Sequence, residues 1–330
     1  MSDHKNIWVY AELSGTAPAT VVLELLAKAR ALKEKTGDAV VAVLLGHQTG
    51  DIAAELLAYG ADQVIRADSA NLADYKPVPY AEALRALVEK HKPSILLFGA
   101  TAQGRDLAPR LQAKLLTGLT ADCLDLGIDE KGLLVQIKPS YGDNIMCTIT
   151  CPDTKPQMAT VRPKVFSPLE RNAQAKGGII DEAIPVANDD TYEIVGRAPI
   201  ASAVEDITEA DVLIALGRGA NSDGAVAAAQ DLAKLLKGAV AVTRPLTEDG
   251  KFTHDSLIGQ SGLTVKPKCI INFGISGAIQ YTVGMQNAAF IIAINKDEDA
   301  PIYGISHVGV IGDAEETLKA IVEEVKKLPQ

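Results

Sequence analysis

No stretch of this 330-residue sequence is apolar for long enough to cross a bilayer. No basic, apolar leader precedes the first strand-like run, Ile7-Trp8-Val9-Tyr10, and no Arg-rich amphipathic segment stands in its place. Both absences lead to the expectation of a cytoplasmic protein without direct membrane insertion. Basic residues are outnumbered: 32 Lys and Arg face 42 Asp and Glu, for a formal charge of -10. A nucleic-acid binder needs a basic stripe to neutralise phosphates, and an acidic surface docks poorly on anionic lipid, so neither partner class is expected. Cysteine is scarce: Cys123, Cys147, Cys151 and Cys269 form no disulfide-like framework. Cys147 and Cys151 have no second pair to complete a metal site; they read as buried thiols in a reducing compartment. The first strand is also not followed by G-x-G-x-x-G. Glu12-Leu13-Ser14-Gly15 stands there instead, which argues against a nucleotide-binding sensor built on the first half.

What is present is an ordinary globular composition, 47% hydrophobic and 22% charged, over a length that suggests two domains. Strand-like runs at Trp8 to Ala11, Ala39 to Leu45, Gln63 to Arg66 and Ser94 to Gly99 alternate with helical patterns. The latter fall at Pro18 to Lys35, Asp51 to Tyr59 and Pro79 to His91, with Gly37, Gly60 and Pro93 as stops. Such alternation implies a mostly parallel sheet covered on both faces. From Ala121 to Val165 the period changes to two, with turns at Lys131-Gly132 and Tyr141-Gly142, which reads as added antiparallel strands. Arg171 to Thr208 is polar and weakly periodic, with Gly177-Gly178, Asp189-Asp190 and Pro199; a connection is expected there, with a strand around Tyr192 to Gly196. The resulting division is an N-terminal α/β domain over 1–190, a linker over 191–208 and a second domain over 209–330.

The second domain repeats the alternation. Strands are expected at Asp211 to Leu216, Ala239 to Thr243, Cys269 to Phe273, Ala289 to Ile294 and, more weakly, His307 to Ile311. Helices are expected at Ser222 to Lys237, Ser276 to Asn287 and Asp313 to Leu328. The fold class is α/β, with two doubly wound domains, the second Rossmann-like. In open parallel sheets, ligands bind beyond the carboxyl ends of the strands. Those ends carry Gly217-Arg218-Gly219, Arg244-Pro245, Gly274 to Gln280, Asn295-Lys296-Asp297 and Gly312-Asp313. Glycines let backbone approach a ligand, and a helix start offers free N–H groups to phosphate. Arg218 and Arg244 supply charge. The edge suits a polar anionic ligand. Asp313 has an equally good plain reading as a helix N-cap, with Glu316 completing a capping box.

Gly274-Ile275-Ser276-Gly277-Ala278-Ile279-Gln280, Gly284-Met285, Ile292 to Asp297 and Ala300-Pro301-Ile302 resemble the FAD-binding signature of electron transfer flavoprotein alpha subunits. Gly259-Gln260-Ser261-Gly262, Gly217-Arg218-Gly219 and Thr243-Arg244 resemble the family's other flavin loops in order and spacing. Gly99 to Arg110 resembles its strand-to-helix motif in the first domain. The resemblance implies an FAD site drawing on Arg218, Gly219, Thr243, Arg244, Gln260, Ser261, Gly262, Gly274, Ser276, Gly277, Ala278, Gln280, Tyr281, Asn295 and Asp313. Arg218, Ser276, Gly277 and Gln280 would hold the pyrophosphate and ribityl chain. Asn295 and Asp313 would hold the ADP end. Gln260 and Ser261 would lie along the isoalloxazine, with the Ser261 hydroxyl near N5. Arg244 would sit over the ring and favour its reduced anionic forms.

The resemblance further implies an electron carrier rather than a substrate-specific enzyme. A beta subunit would dock on the first domain and complete the flavin site, and an acyl-CoA dehydrogenase or related dehydrogenase would donate electrons. Whether the complex bifurcates electrons depends on whether that beta subunit carries FAD or AMP, and stays open at this point. The alternative is a free-standing FAD-dependent oxidoreductase, with His254 as the nearest candidate base. The family usually has Thr at Ser261 and His at Tyr281. A tyrosine there either donates a neutral hydrogen bond at the flavin edge, making the reduced ring less stabilised, or turns away into the core. His307 stands where an acidic residue is common and has no assigned role.

Overall fold

The first unit contains, in order, β1 (Ile7–Tyr10), a small hairpin of β2 (Leu13–Ser14) and β3 (Ala17–Pro18), α1 (Thr20–Thr36), β4 (Val40–Gly46), α2 (Gly50–Ala58), β5 (Gln63–Asp68), α3 (Pro77–His91), β6 (Ile95–Gly99) and α4 (Ala102–Leu115). It continues with β7 (Leu119–Cys123), β8 (Asp125–Ile128), β9 (Leu134–Ser140), β10 (Ile145–Ile149), β11 (Gln157–Val161) and β12 (Gly178–Asp181). The computed structural model describes residues 4–140, 145–196 and 206–327. β1, β4, β6 and β11 are buried along their whole length, which requires cover on both faces. They form the centre of a seven-stranded parallel sheet, ordered β12-β5-β4-β1-β6-β11-β7. Alternation divides the core: Ile7 and Val9 pack with α1 and α2 on one face, Trp8 and Tyr10 with α3 and α4 on the other. α1 shows why its face is buried. Val21, Val22, Leu25, Leu26, Ala29 and Leu32 recur at helical spacing, and Gly37, in the left-handed region at φ 74°, ends the helix.

Three sequence expectations are corrected here. Of the strands in the stretch read as antiparallel, β8, β9 and β10 pair that way; β7 and β11, read with them, join the main sheet in parallel. β11 carries two polar residues, Gln157 and Thr160, within its buried run. Both are buried with partners: Gln157 accepts from Leu134 N at 2.9 Å, and Thr160 accepts from Asp122 N at 2.9 Å. No strand forms at Tyr192 to Gly196; β12 adds instead to the edge of β5, where Arg66 donates to Asp181 at 2.6 Å. Of the four cysteines only Cys123 is fully buried, and its thiol is pushed up to about 12 by burial. The expected Tyr141-Gly142 turn, Pro199, Leu328 and the middle of the linker lie outside the described residues. Residues 191–196 group with the first unit.

The second unit contains β13 (Val212–Leu216), α5 (Asp223–Leu236), β14 (Ala239–Val242), α6 (Arg244–Glu248), β15 (Cys269–Phe273), α7 (Ile279–Thr282), β16 (Ile291–Asn295), β17 (Val308–Ile311) and α8 (Ala314–Lys326). Its five strands are all parallel, in the order β14-β13-β15-β16-β17. α5 and α8 cover one face with Ala225, Ala229, Leu232, Leu318 and Val322. The other face is covered by α7 with Tyr281 and by largely irregular chain carrying Ile258, Val265, Met285 and Ile302. The helix expected over Ser276 to Asn287 shrinks to α7. After Thr282 the backbone closes tighter turns, with Gly284 N donating to Tyr281 O and Met285 N to Thr282 O. Gly284 is pressed against another loop: a Cβ there would lie 2.6 Å from Gly259 N. Among the described residues no helix is long and apolar enough to cross a membrane.

Candidate cofactor site

β13 and β15 are neighbours in the second sheet, and the chain leaves them in opposite directions to build the rest of it. Such a switch point parts the loops at the strand ends and leaves a crevice. Here the loops after β13 and β15 touch at their bases. Gly217 N donates to Phe273 O at 2.9 Å and Gly219 N to Gly274 O at 3.1 Å. Gly274 has φ 63°, and a Cβ on it would lie 2.5 Å from the Gly219 carbonyl carbon. Only glycine allows both the conformation and the approach.

A cavity of about 760 Å³ opens above this junction. That lies within the ~300–1,000 Å³ of sites that take small molecules and cofactors. Of the fifteen residues expected at the site, twelve line it: Arg218, Gly219, Thr243, Arg244, Gln260, Ser261, Gly274, Ser276, Ala278, Gln280, Tyr281 and Asn295. Gly217, Pro245, Leu257, Ile258, Gly259, Ile275, Lys296 and Asp297 complete the wall. Gly262 and Gly277 stand at turns outside it. Asp313 is absent from the wall because its carboxylate caps α8, accepting from Glu315 N at 3.0 Å and Glu316 N at 3.1 Å.

The loops are held by backbone and side chain together. Gln260 N donates to Gln280 O at 2.7 Å, which ties the 259–261 turn to α7. Asn295, at the end of β16, donates through Nδ2 to Ile275 O at 2.9 Å and accepts from Asp297 N at 3.1 Å. The Tyr303 hydroxyl accepts from Asn295 N and donates to Asn295 O. Arg218 opens a short 3-10 turn, is exposed, and has no bonding partner among the described residues. Arg244 opens α6 and donates from Nε to Glu248 at 2.8 Å.

Tyr281 differs from the reading that put its hydroxyl at the flavin edge. Its residue borders the cavity, but the side chain is buried and its hydroxyl donates to Asn272 Oδ1. Burial raises the phenol's pKa, so it stays protonated. Apolar Leu257 and Ile258 were not foreseen as wall residues. They arrive because Leu257 bridges to Val242 at the end of β14, a contact that local periodicity does not encode.

The wall holds Arg218, Arg244 and Lys296 against one carboxylate, Asp297, in a chain of net charge -10. No histidine or cysteine lines it, and His254, weighed as a base, is not part of it. The donor set therefore suits a polyanion with an extended polar backbone, and it offers no nucleophile–base pair. The fit to a dinucleotide rests on volume, on the free guanidinium of Arg218 and on glycine backbone at the crevice floor.

A parallel α/β unit with a cationic cleft at its switch point and no nucleophile–base pair in its wall defines a nucleotide-cofactor protein whose chemistry the cofactor carries. The chain belongs to the electron transfer flavoprotein family. Residues 7–187 match the family's "Electron transfer flavoprotein domain" and residues 206–286 its "Electron transfer flavoprotein FAD-binding domain". It is 42% identical to the electron transfer flavoprotein subunit alpha of Thermoanaerobacterium thermosaccharolyticum, over 99% of this chain and 100% of that one. The corresponding subunit of Clostridium acetobutylicum is 43% identical, with 98% of each chain covered. Subunit LctC of a lactate dehydrogenase (NAD(+),ferredoxin) from Acetobacterium woodii is 41% identical, over 98% of this chain and 77% of its own. A flavin cofactor and a role in electron transfer follow from the family.

Proposed function

We propose that the cofactor is FAD and that the chain is the alpha subunit of a heterodimer that carries electrons from a dehydrogenase to a second acceptor. The observation that carries this reading is the cleft at the β13/β15 switch point, cationic and without an acid–base pair. When bound, the isoalloxazine stores the electrons. Arg218, unpaired at the crevice, binds the pyrophosphate together with the Ser276 and Gln280 loops. Asn295 orders the loop at the ADP end. Gln260 and Ser261 would hold the ring, and the guanidinium of Arg244 would favour negative charge on it. Pro245, Leu257 and Ile258 supply apolar wall that excludes water. A beta subunit of the kind implied by the relatives' designation as alpha subunits completes the site. Acyl-CoA dehydrogenases and related dehydrogenases are the donors proposed. LctC's membership of an NAD(+)- and ferredoxin-linked enzyme extends the proposal to bifurcating complexes.

The test is co-production with the neighbouring subunit, release of the cofactor by heat and its chromatographic identification. FAD at one equivalent or more per heterodimer is expected. Colourless protein, or FMN in place of FAD, rejects the reading.

A further inference from the structure

α6 begins at the cavity with Arg244, and one turn later Glu248 accepts from its Nε at 2.8 Å. Both side chains are mostly exposed, 69% and 61%. The order of the charges is wrong for helix stability. A cation at the N-terminal end and an anion one turn later both oppose the helix dipole; the stabilising order puts the acid first. The chain uses that order with Glu315 before Lys319 on α8 and Asp106 before Arg110 on α4, and the reverse order with Arg85 before Glu89 on α3, at a longer 3.7 Å. The reversed pair on α6 therefore adds little to the helix. Its effect falls on the cavity, which Arg244 lines and Glu248 does not. Because the bond is made at Nε, the two terminal nitrogens of Arg244 have no partner among the described residues and remain available as donors.

We propose that Glu248 is a positioning residue for the flavin site: it directs the Arg244 guanidinium and offsets part of its charge at the ring. The bound flavin then accepts negative charge less readily than beside an unpaired arginine. The inference rests on the proposed seat of the ring against Arg244, and the experiment separates the two.

Sulfite is the probe. Its lone pair bonds to flavin N5 and the ring takes up the negative charge, so its affinity reports the positive field there. The flavin-loaded full chain, co-produced with its partner subunit, is compared with Glu248→Gln, Arg244→Gln and the double variant. Glu248→Gln keeps the acceptor oxygen and removes the charge. Sulfite affinity is expected to rise about three-fold in Glu248→Gln at low salt, the scale of an exposed ion pair. The rise shrinks at high ionic strength and vanishes in the Arg244→Gln background. A structural role of Glu248 alone would give neither the salt dependence nor the coupling. If Arg244→Gln weakens sulfite binding but Glu248→Gln changes nothing, or raises affinity equally without Arg244, the inference is overturned and the ring's seat stands. If Arg244→Gln itself leaves affinity unchanged, the seat is wrong and the inference falls with it.

Discussion

The Tyr281 hydroxyl donates to Asn272 Oδ1 at 2.5 Å, and both side chains are closed to solvent. Asn272 in turn donates through Nδ2 to Ile292 O at 2.9 Å, so the tyrosine ties α7 across β15 to β16. Tyr281→Phe leaves a buried carbonyl oxygen without its donor. The expected loss is about 1–3 kcal/mol of stability, read by denaturant unfolding. The absorption spectrum of the bound flavin should stay unchanged, because the hydroxyl points into the core. A shifted flavin spectrum would place the side chain at the ring after all.

The same phenol gives an alkaline signature. Burial raises its folded pKa above the ordinary value, so the folded state keeps a proton that the unfolded chain loses above about pH 10. Where the unfolded state binds fewer protons, stability falls as pH rises. Wild-type stability should therefore drop more steeply above about pH 10 than that of Tyr281→Phe. Parallel curves would contradict the assigned burial.

Much of this site was legible because its signals are local. Strand ends followed by Gly217-Arg218-Gly219 or Gly274 announce an edge where backbone approaches a ligand, and the parallel sheet places those edges together. What escaped the sequence depends on tertiary partners. Tyr281, Met285 and Ala288 share one apolar cluster at near-helical spacing, so they imitate a helix that the backbone abandons after Thr282. Periodicity reports which side chains are buried, not which carbonyl each N–H reaches. The orientation of Tyr281 had one available clue: Asn272 interrupts the apolar run Cys269 to Phe273. A buried amide in mid-strand requires partners, and a nearby tyrosine is a donor.

Gly274→Ala tests the crevice floor. The substitution forces a left-handed φ of 63° on alanine and drives its Cβ to 2.5 Å from the Gly219 carbonyl carbon, a backbone atom that cannot rotate away. Overpacking and conformational strain together should cost about 2–4 kcal/mol, with loss of flavin from the purified protein. Gly127→Ala, whose Cβ would meet only Val135 at 3.8 Å, is the control. Normal flavin content in Gly274→Ala would show that the two loops have room to separate.

Arg218 makes no hydrogen bond or ion pair among the described residues, so its removal should not touch the stability of the cofactor-free chain. Its loss should appear only in binding. A charge-assisted contact to pyrophosphate contributes about 1.5–3 kcal/mol; Arg218→Gln is expected to weaken FAD binding by roughly ten- to hundred-fold on that scale. Titration by flavin fluorescence measures it. A lowered melting temperature of the cofactor-free variant would mean that Arg218 has a structural partner instead.

Glu12 gives a pH-dependent prediction in the first unit. Its carboxylate accepts from the Thr101 hydroxyl at 2.5 Å, and that same hydroxyl caps α4 by accepting from Gly104 N at 2.9 Å. Burial raises its pKa; the Thr101 bond lowers it, but by less. A carboxyl held above its unfolded pKa retains its proton in the fold while the unfolded chain releases it. Stability contributed by this group is present below the unfolded pKa and is lost as pH rises through the folded one. Glu12→Gln keeps an acceptor for Thr101 and removes the ionisation. It should therefore be more stable than wild type at neutral pH, by an amount reduced by the solvent that still reaches the carboxyl, and should lose that advantage in acid below the usual carboxylate range. Thermal unfolding of both proteins across acid and neutral pH measures the difference. A variant less stable at every pH would show that the ionised carboxylate, not the protonated one, holds Thr101 at the start of α4.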